Sequence, residues 1–349
     1  MNDLSQVESS VLTRLQADFP LHPRPFEVIG EDLGLSEENV LAVVRRLKEN
    51  GILRDITGIF NGSLLGYHTA LAAFEVPVSN VEKTAAIVGA HPGVGHNYER
   101  DGGFNLWFTL TVESEVPLEE EIDALAGRTG VGNYLAFRNE KTLKIGVVLP
   151  LGDGGSVGGY FDSSTQNDNS FKATYKLHKP EDRSLAASEK EIIRILQKDL
   201  PLEPFPFDAL AERYCAPFRG TEVLRAAWGF REQGILRRYA AILRHRKAGY
   251  RANIMSAWRY GEGDDSRLLP FIREPRITHL YLRSAIQGYW EHNLFAMLHA
   301  RSSEEAENLI ARLSVESGLA DYRLFPTKRE FKKKKIEYLG ERFSLLHKD

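Results

Sequence analysis

The 349-residue sequence has one cysteine, Cys215, and only three methionines. A lone thiol excludes an internal disulfide framework and any multi-cysteine zinc or iron–sulfur site, and points to a reducing, cytoplasmic setting. No uninterrupted apolar stretch reaches the roughly 20 residues that a membrane-spanning helix needs. The N-terminal MNDLSQVESS has no basic segment leading into an apolar one, so no signal peptide is expected. Excess charge is missing as well. Lys+Arg 45 against Asp+Glu 48 gives a formal net charge of −3, which provides no overall attraction to nucleic acid or to an anionic membrane. What remains is a globular composition, 42% hydrophobic and 27% charged, with a length comfortable for about two to four domains.

The chain repeats itself. Gly51-Ile52-Leu53-Arg54 returns as Gly234-Ile235-Leu236-Arg237, and Gly66-Tyr67 as Gly249-Tyr250, both displaced by 183 positions (234 − 51, 249 − 66). The same displacement relates His96-Asn97-Tyr98-Glu99-Arg100 to His279-Leu280-Tyr281-Leu282-Arg283. Beyond it comes a short insertion around Gln287-Gly288-Tyr289-Trp290, after which Asn105-Leu106 matches Asn293-Leu294 and Gly130 matches Gly318. Register held over so many positions marks two homologous halves. Between them, GDGGSVGG and SSTQNDNS have the composition of a flexible tether. That stretch lacks the glycine spacing of a nucleotide-binding loop and the lysine and hydroxyl residue that would close one.

Apolar periodicity predicts helices over Val7–Ala17 and Phe26–Leu33, the latter closed by Gly34, and a third capped by Ser36 and running to Asn50. An extended Ile52–Phe60 completes the outline of a winged helix-turn-helix, repeated from Ser188 to Gly234. Strands are then predicted at His68–Val76, Gly95–Arg100, Phe104–Val112 and Asn133–Val148, with helices at Val81–Ala90 and Leu118–Ala126. The second half offers strands at Arg251–Tyr260, Thr278–Arg283, Asn293–Ala300 and Tyr322–Tyr338. This βαββαβ order is that of a ferredoxin-like sandwich. The expected fold is therefore α+β, a tandem duplication of winged helix-turn-helix plus ferredoxin-like domain. Its parts are 1–60, 61–150, a linker at 151–183, 184–243 and 244–349. One face of each antiparallel sheet needs a cover other than its own helices, so the two sheets are expected to pack as an intrachain pseudo-dimer.

This architecture resembles the Lrp/AsnC transcription regulators over nearly the whole chain, twice. HPGVGHNYERDGGFNLWFTL, GILRRYAAILRHRKAGYRAN and FPTKREFKKKKIEYL resemble, more specifically, an enzymatic branch, the siroheme decarboxylases, in a fused two-subunit form. That resemblance implies loss of carbon dioxide from two acetate side chains of siroheme, giving didecarboxysiroheme, in heme or heme d1 biosynthesis. It implies no added organic cofactor and no metal site of the protein's own. The partners it implies are siroheme and its product, without nucleic acid or membrane; further homo-oligomerisation stays open.

The residues have matching uses. His96, Tyr98 and Arg100 alternate along a predicted strand and so face one way, as do His279, Tyr281 and Arg283. Histidine titrates near neutrality and can supply the proton that replaces a departing carboxylate. Arginine grips a carboxylate with two parallel hydrogen bonds, and tyrosine packs on a macrocycle with a hydroxyl at its edge. The bland alternative is a strand with an ordinary polar face. A second basic set, Arg237, Arg238, His245 and Arg246, suits a polyanionic ring as well as it suits a solvated wing. Half one departs there, with Asp55 for Arg238 and Gly62 for His245, so a site dominated by the C-terminal half is expected. His245 or His279 could contact the siroheme iron. Trp290 and Asn293 are candidates for the ring edge, although an aromatic in a hairpin more often covers a core. Lys332 to Lys335 read as a solvated strand end and His91-Pro92 as a helix stop. The rival function is a ligand-responsive DNA-binding regulator; against it, the second recognition-type helix holds Trp228, Gly229 and Phe230 where bases would be read. A tetrapyrrole-binding scaffold without catalysis is the third reading.

Overall fold

The computed structural model describes residues 4–17, 19–145, 184–214, 217–244, 247–261, 263–340 and 343–345. The linker expectation, and His245, Arg246 and Cys215, lie outside these. Half one runs α1 (Gln6–Ala17), α2 (Pro25–Leu33), α3 (Glu37–Glu49), β1 (Leu53–Phe60), β2 (Tyr67–Phe74), α4 (Val81–Ala90), β3 (Val94–Arg100), β4 (Leu106–Glu113), α5 (Leu118–Thr129) and β5 (Tyr134–Ile145). Half two repeats the series as α6 (Ala187–Leu196), α7 (Pro206–Arg213), α8 (Gly220–Glu232), β6 (Leu236–Leu243), β7 (Ala252–Trp258), α9 (Leu269–Arg273), β8 (Ile277–Arg283), β9 (Leu294–Ala300), α10 (Ser303–Ser317) and β10 (Tyr322–Lys333). Local signals act as expected. Gly34 closes α2 at φ 68°, and the Ser36 hydroxyl caps α3 by accepting from the Asn39 N–H at 3.2 Å. Among the described residues, no helix is long and apolar enough to cross a membrane.

Like parts of the two halves cluster together, giving two compact units. In the first, β1 and β6 pair antiparallel as a two-stranded ribbon, so each wing completes the other half's wing. Tyr239 on β6 is buried between Phe19 and Phe207, each ring centroid 5.6 Å away. The basic residues of α3 are engaged within this unit: Arg45 donates to the Leu202 carbonyl at 2.8 Å, Arg46 pairs with Glu8 and Lys48 with Asp199. The Trp228 indole N–H on α8 likewise donates to the Leu21 carbonyl, at 3.1 Å.

In the second unit the two expected sheets are joined edge to edge. The strands close into one barrel in the order β10-β3-β4-β2-β5-β8-β9-β7. The cause is the length of the last strand in each half. β5 pairs with β2 through Tyr134 to Arg138 and then, from Asn139, with β8 of the other half. β10 pairs with β7 through Tyr322 to Pro326 and from Thr327 with β3. Bulges along both crossings bend the strands into the closure. The predicted strand to Tyr338 stops at Lys333, and Lys332 is not merely solvated, because its ammonium caps the carbonyls of Gly89 and His91 at 2.7 and 3.0 Å. His91 also does more than stop a helix. Its Nδ1 accepts from Gly93 N–H at 3.0 Å, so Nε2 is the donor to the fully buried Glu121 at 2.9 Å, and burial pushes this imidazole's pKa down.

Alternation along the strands sorts the core. Ala70, Ala72 and Phe74 of β2 face α4 and α5, while Leu71 and Ala73 face the barrel axis. There they meet Trp107, Leu135, Phe137, Met255, Ala257, Trp290, Phe295 and Phe325, an apolar plug contributed by both halves. Trp107 stacks on Phe137 at 6.1 Å and tilts against Phe325 at 5.0 Å. Trp107→Ala should cost about 3–5 kcal/mol of folding stability by emptying this plug. Chemical denaturation is the check: a midpoint within error of wild type would mean that the barrel does not rest on it.

Candidate active site

Cross-strand register sets the direction of both His-x-Tyr-x-Arg rows. Tyr98 lies opposite Trp107, and Tyr281 opposite Phe295. Both partners belong to the plug, so both rows face the barrel interior. A bulge precedes each histidine, between Val94 and His96 and between Ile277 and His279, and re-aims the rest of each row. Advancing the strand order by four places maps β3 onto β8, with every pairing antiparallel. The two rows therefore run in the same direction on opposite walls, and their histidines open toward the same end. Asn97 and Glu99, which break the apolar pattern of the outer face in half one, are accommodated there. Asn97 donates to the Ala85 carbonyl of α4 at 2.9 Å, and Glu99 pairs with Arg329.

The rows share one geometry. His96 stacks beside Tyr98 with centroids 6.1 Å apart and planes 23° apart; His279 and Tyr281 give 6.1 Å and 25°. Next come the arginines, Arg100 5.1 Å from the Tyr98 ring and Arg283 4.7 Å from the Tyr281 ring. Burial deepens along each row. The histidines are half-buried, whereas Arg100 and Arg283 are only 3% and 5% exposed. Arg100 donates to the Phe325 carbonyl at 2.7 Å and the Thr327 hydroxyl at 2.9 Å; Arg283 donates to the Phe137 carbonyl at 3.3 Å. Among the described residues neither meets a carboxylate, and the Nε of each is buried without a hydrogen-bond partner. Desolvation pulls both guanidinium pKa values down to about 10, against a smaller opposing effect of the neighbouring tyrosine. Two buried cations without counter-ions are costly unless an anion joins them.

The other candidates fall elsewhere. Arg237 and Arg238 lie on β6 in the other compact unit, where Arg237 donates to Asn61 at 3.1 Å. Trp290 is 4% exposed in the plug, 5.4 Å from Phe137, with Arg323 over its ring at 4.9 Å and its N–H on the His292 carbonyl. That is the covering role weighed for it as the alternative to stacking on a ligand. Asn293 clips strand ends, its Oδ1 accepting from Tyr260 N–H at 3.0 Å just as Asn105 accepts from Val76 N–H. Sequence reading missed Thr109 and Thr278, whose hydroxyls lie 3.4 Å from His96 Nδ1 and 3.0 Å from His279 Nδ1.

Winged helix-turn-helix pairs and an eight-stranded barrel built from βαββαβ halves define an Lrp/AsnC-type α+β protein. Its barrel carries two matching His-x-Tyr-x-Arg rows that face its interior. Comparison with known proteins places it further. The model of the AsnC-like ligand binding domain matches residues 64–144 and 247–332, and that of the siroheme decarboxylase NirDL-like HTH domain matches 8–54 and 189–237. A siroheme decarboxylase of Hydrogenobacter thermophilus is 36% identical over 341 residues, 97% of either chain. The crystal structure of the siroheme decarboxylase NirDL superposes with a TM-score of 0.71 at 32% identity, covering 96% of this chain and 95% of that one. Its co-complex with an iron-uroporphyrin III analogue gives 0.68 at 33% identity over the same shares. The chain belongs to the siroheme decarboxylase family.

Proposed function

We propose that this protein is a carboxy-lyase that decarboxylates siroheme, removing carbon dioxide from two acetate side chains to give didecarboxysiroheme for heme or heme d1 synthesis in the cytoplasm. The observation that carries the reading at the level of residues is the pair of buried, carboxylate-free guanidiniums aimed into one barrel. Siroheme is a polycarboxylate and supplies the missing anions. Each event converts a ring-bound CH2–COO⁻ and one proton into CH3 and CO2. The electron pair of the breaking C–C bond flows toward the pyrrole, which acts as a sink when protonated, and the exocyclic carbon then takes up the proton. His279 is suited to deliver it, with Tyr281 holding the imidazole plane and Arg283 holding a carboxylate. His96, Tyr98 and Arg100 face them from the opposite wall, so the internal pairing of the halves works as a pseudo-dimer in which both contribute. No added organic cofactor is needed, because the tetrapyrrole itself delocalises the electrons and brings its own iron.

The regulator reading is not favoured, since Arg45, Arg46, Lys48 and Trp228 are all engaged inside their own unit. Anaerobic incubation of the purified protein with siroheme tests the proposal. Mass analysis should show the loss of two carbon dioxide units; an unchanged substrate that is visibly bound would reject it.

A further inference from the structure

Arg100 and Arg283 occupy equivalent places, but their surroundings hold them differently. Arg100 gives its Nη1 to two acceptors, the Phe325 carbonyl at 2.7 Å and the Thr327 hydroxyl at 2.9 Å, which together fix the plane of the guanidinium. Thr327 is β-branched and therefore stiff at χ1, and its hydroxyl is held in turn by Asn253, 3.2 Å from Oδ1. Thr327 lies on β10 and Asn253 on β7, so two side chains of half two brace an arginine of half one. The equivalent of Thr327 is Asn139 (327 − 139 = 188, as for Gly318 − Gly130). Each lies opposite its arginine in register, Thr327 facing Arg100 and Asn139 facing Arg283. Asn139 is exposed, however, and its Nδ2 donates to the Thr142 hydroxyl at 3.0 Å. The place of Asn253 is taken by Thr69. Asn253 lies opposite His299 and Thr69 opposite Thr111, and those two partners are again 188 apart (299 − 111). The Thr69 hydroxyl is spent on that of Thr111, at 2.9 Å. Among the described residues, Arg283 keeps one hydrogen-bond acceptor, the Phe137 carbonyl at 3.3 Å.

We propose that Thr327 and Asn253 are positioning residues that hold Arg100 as a preset anchor for a carboxylate of the tetrapyrrole, whereas Arg283, without such a brace, adjusts to its carboxylate on binding. The inference rests on the reading of the two rows as the decarboxylase site and deepens it by separating the two arginines. A side chain already held in its binding geometry loses little freedom when the anion arrives. One that must first be ordered gives up part of the interaction energy to that ordering. Half two thus sets the placement of half one's cation, a service that half one does not return in kind. Thr327 also sits where β10 passes from β7 to β3, so loss of packing has to be told apart from loss of positioning.

A double-mutant cycle on the full chain makes that separation, with anaerobic absorbance titration of siroheme giving Kd and turnover giving KM and kcat. Thr327→Val, close to threonine in shape, should raise Kd about 3- to 10-fold and KM with it, while kcat changes little. Thr327→Ser keeps the hydroxyl and should restore both, and Asn253→Ala should reproduce part of the rise. In an Arg100→Met background Thr327→Val should add nothing, because the group that it positions is gone. Asn139→Ala, at the matching place beside Arg283, should bind as wild type does. The proposal is overturned, with the site reading intact, by wild-type affinity in Thr327→Val or Asn253→Ala, by an undiminished effect of Thr327→Val beside Arg100→Met, or by an equal loss in Asn139→Ala. Wild-type affinity in Arg100→Met rejects the site reading itself and the positioning role with it.

Discussion

His279→Ala should lose about 10²–10⁴ of its decarboxylation rate while binding siroheme within about tenfold of wild type. His279 is half-buried at the open end of its row, stacked on Tyr281, and lies outside the aromatic plug, so its removal leaves the barrel closed. In the proposed site the substrate's charge is met deeper, by Arg283, so that contact should survive. Chemistry and affinity should therefore separate. Single-turnover mass analysis under anaerobic conditions reports the first, and absorbance titration of siroheme reports the second. A variant that binds and turns over normally would exclude His279 from proton delivery. One that no longer binds at all would make the row a binding element only.

Arg283→Met and Arg100→Met should behave in the opposite way. Each guanidinium is buried and tied to main-chain carbonyls, and the Nε of each has no hydrogen-bond partner among the described residues. Removing one partner of a desolvated charge pair costs about 2–5 kcal/mol, or roughly 30- to 4,000-fold in Kd for the polycarboxylate ring. Folding should tolerate the change better than binding does, because methionine removes a buried charge that has no counter-ion in the free protein. The pH dependence gives a second signature. Desolvation holds the folded pKa of both arginines at about 10, below the ordinary value of a solvated guanidinium. The folded state thus holds fewer protons than the unfolded state between those two values. The burial penalty is fully present below about pH 10 and is relieved as pH rises from there toward the ordinary arginine value. Anion affinity has the reverse sign, falling as the arginines discharge through about pH 10. Affinity measured from about pH 8 to about pH 10.5 should therefore decline at the top of that range in wild type and lose part of the decline in either Met variant. A flat wild-type profile, or unaltered affinity in both variants, would show that the substrate's carboxylates are held elsewhere.

Much of this was legible in the sequence. Duplication could be read because an offset of 183 survives at glycines that end helices and in the His-x-Tyr-x-Arg repeat. The common face of each row came from the period of a strand, and the helices from Gly34 and Ser36. Barrel closure was not legible, because pairing Asn139 with Arg283 or Thr327 with Arg100 depends on register between distant segments, which no local pattern encodes. The contacts of Thr109 and Thr278 with the two histidines were hidden for the same reason, one being cross-strand and the other lying at a bulge. Trp290 illustrates a limit of residue type: a tryptophan beside a functional motif suits a ligand or a core equally well, and only its contacts with Trp107, Phe137 and Phe325 decide. The His91–Glu121 pair was concealed by distance in sequence, since its two members end one helix and sit in the first turn of another.

The most direct test of the central claim is a crystal structure of this chain with an iron porphyrin that bears eight carboxylates, at the resolution needed to place them. Carboxylate oxygens should lie within hydrogen-bond distance of Arg283 or Arg100, with the imidazole of His279 facing the carbon that bears the acetate. A ring seated without any contact to either arginine, the barrel interior unchanged, would contradict it.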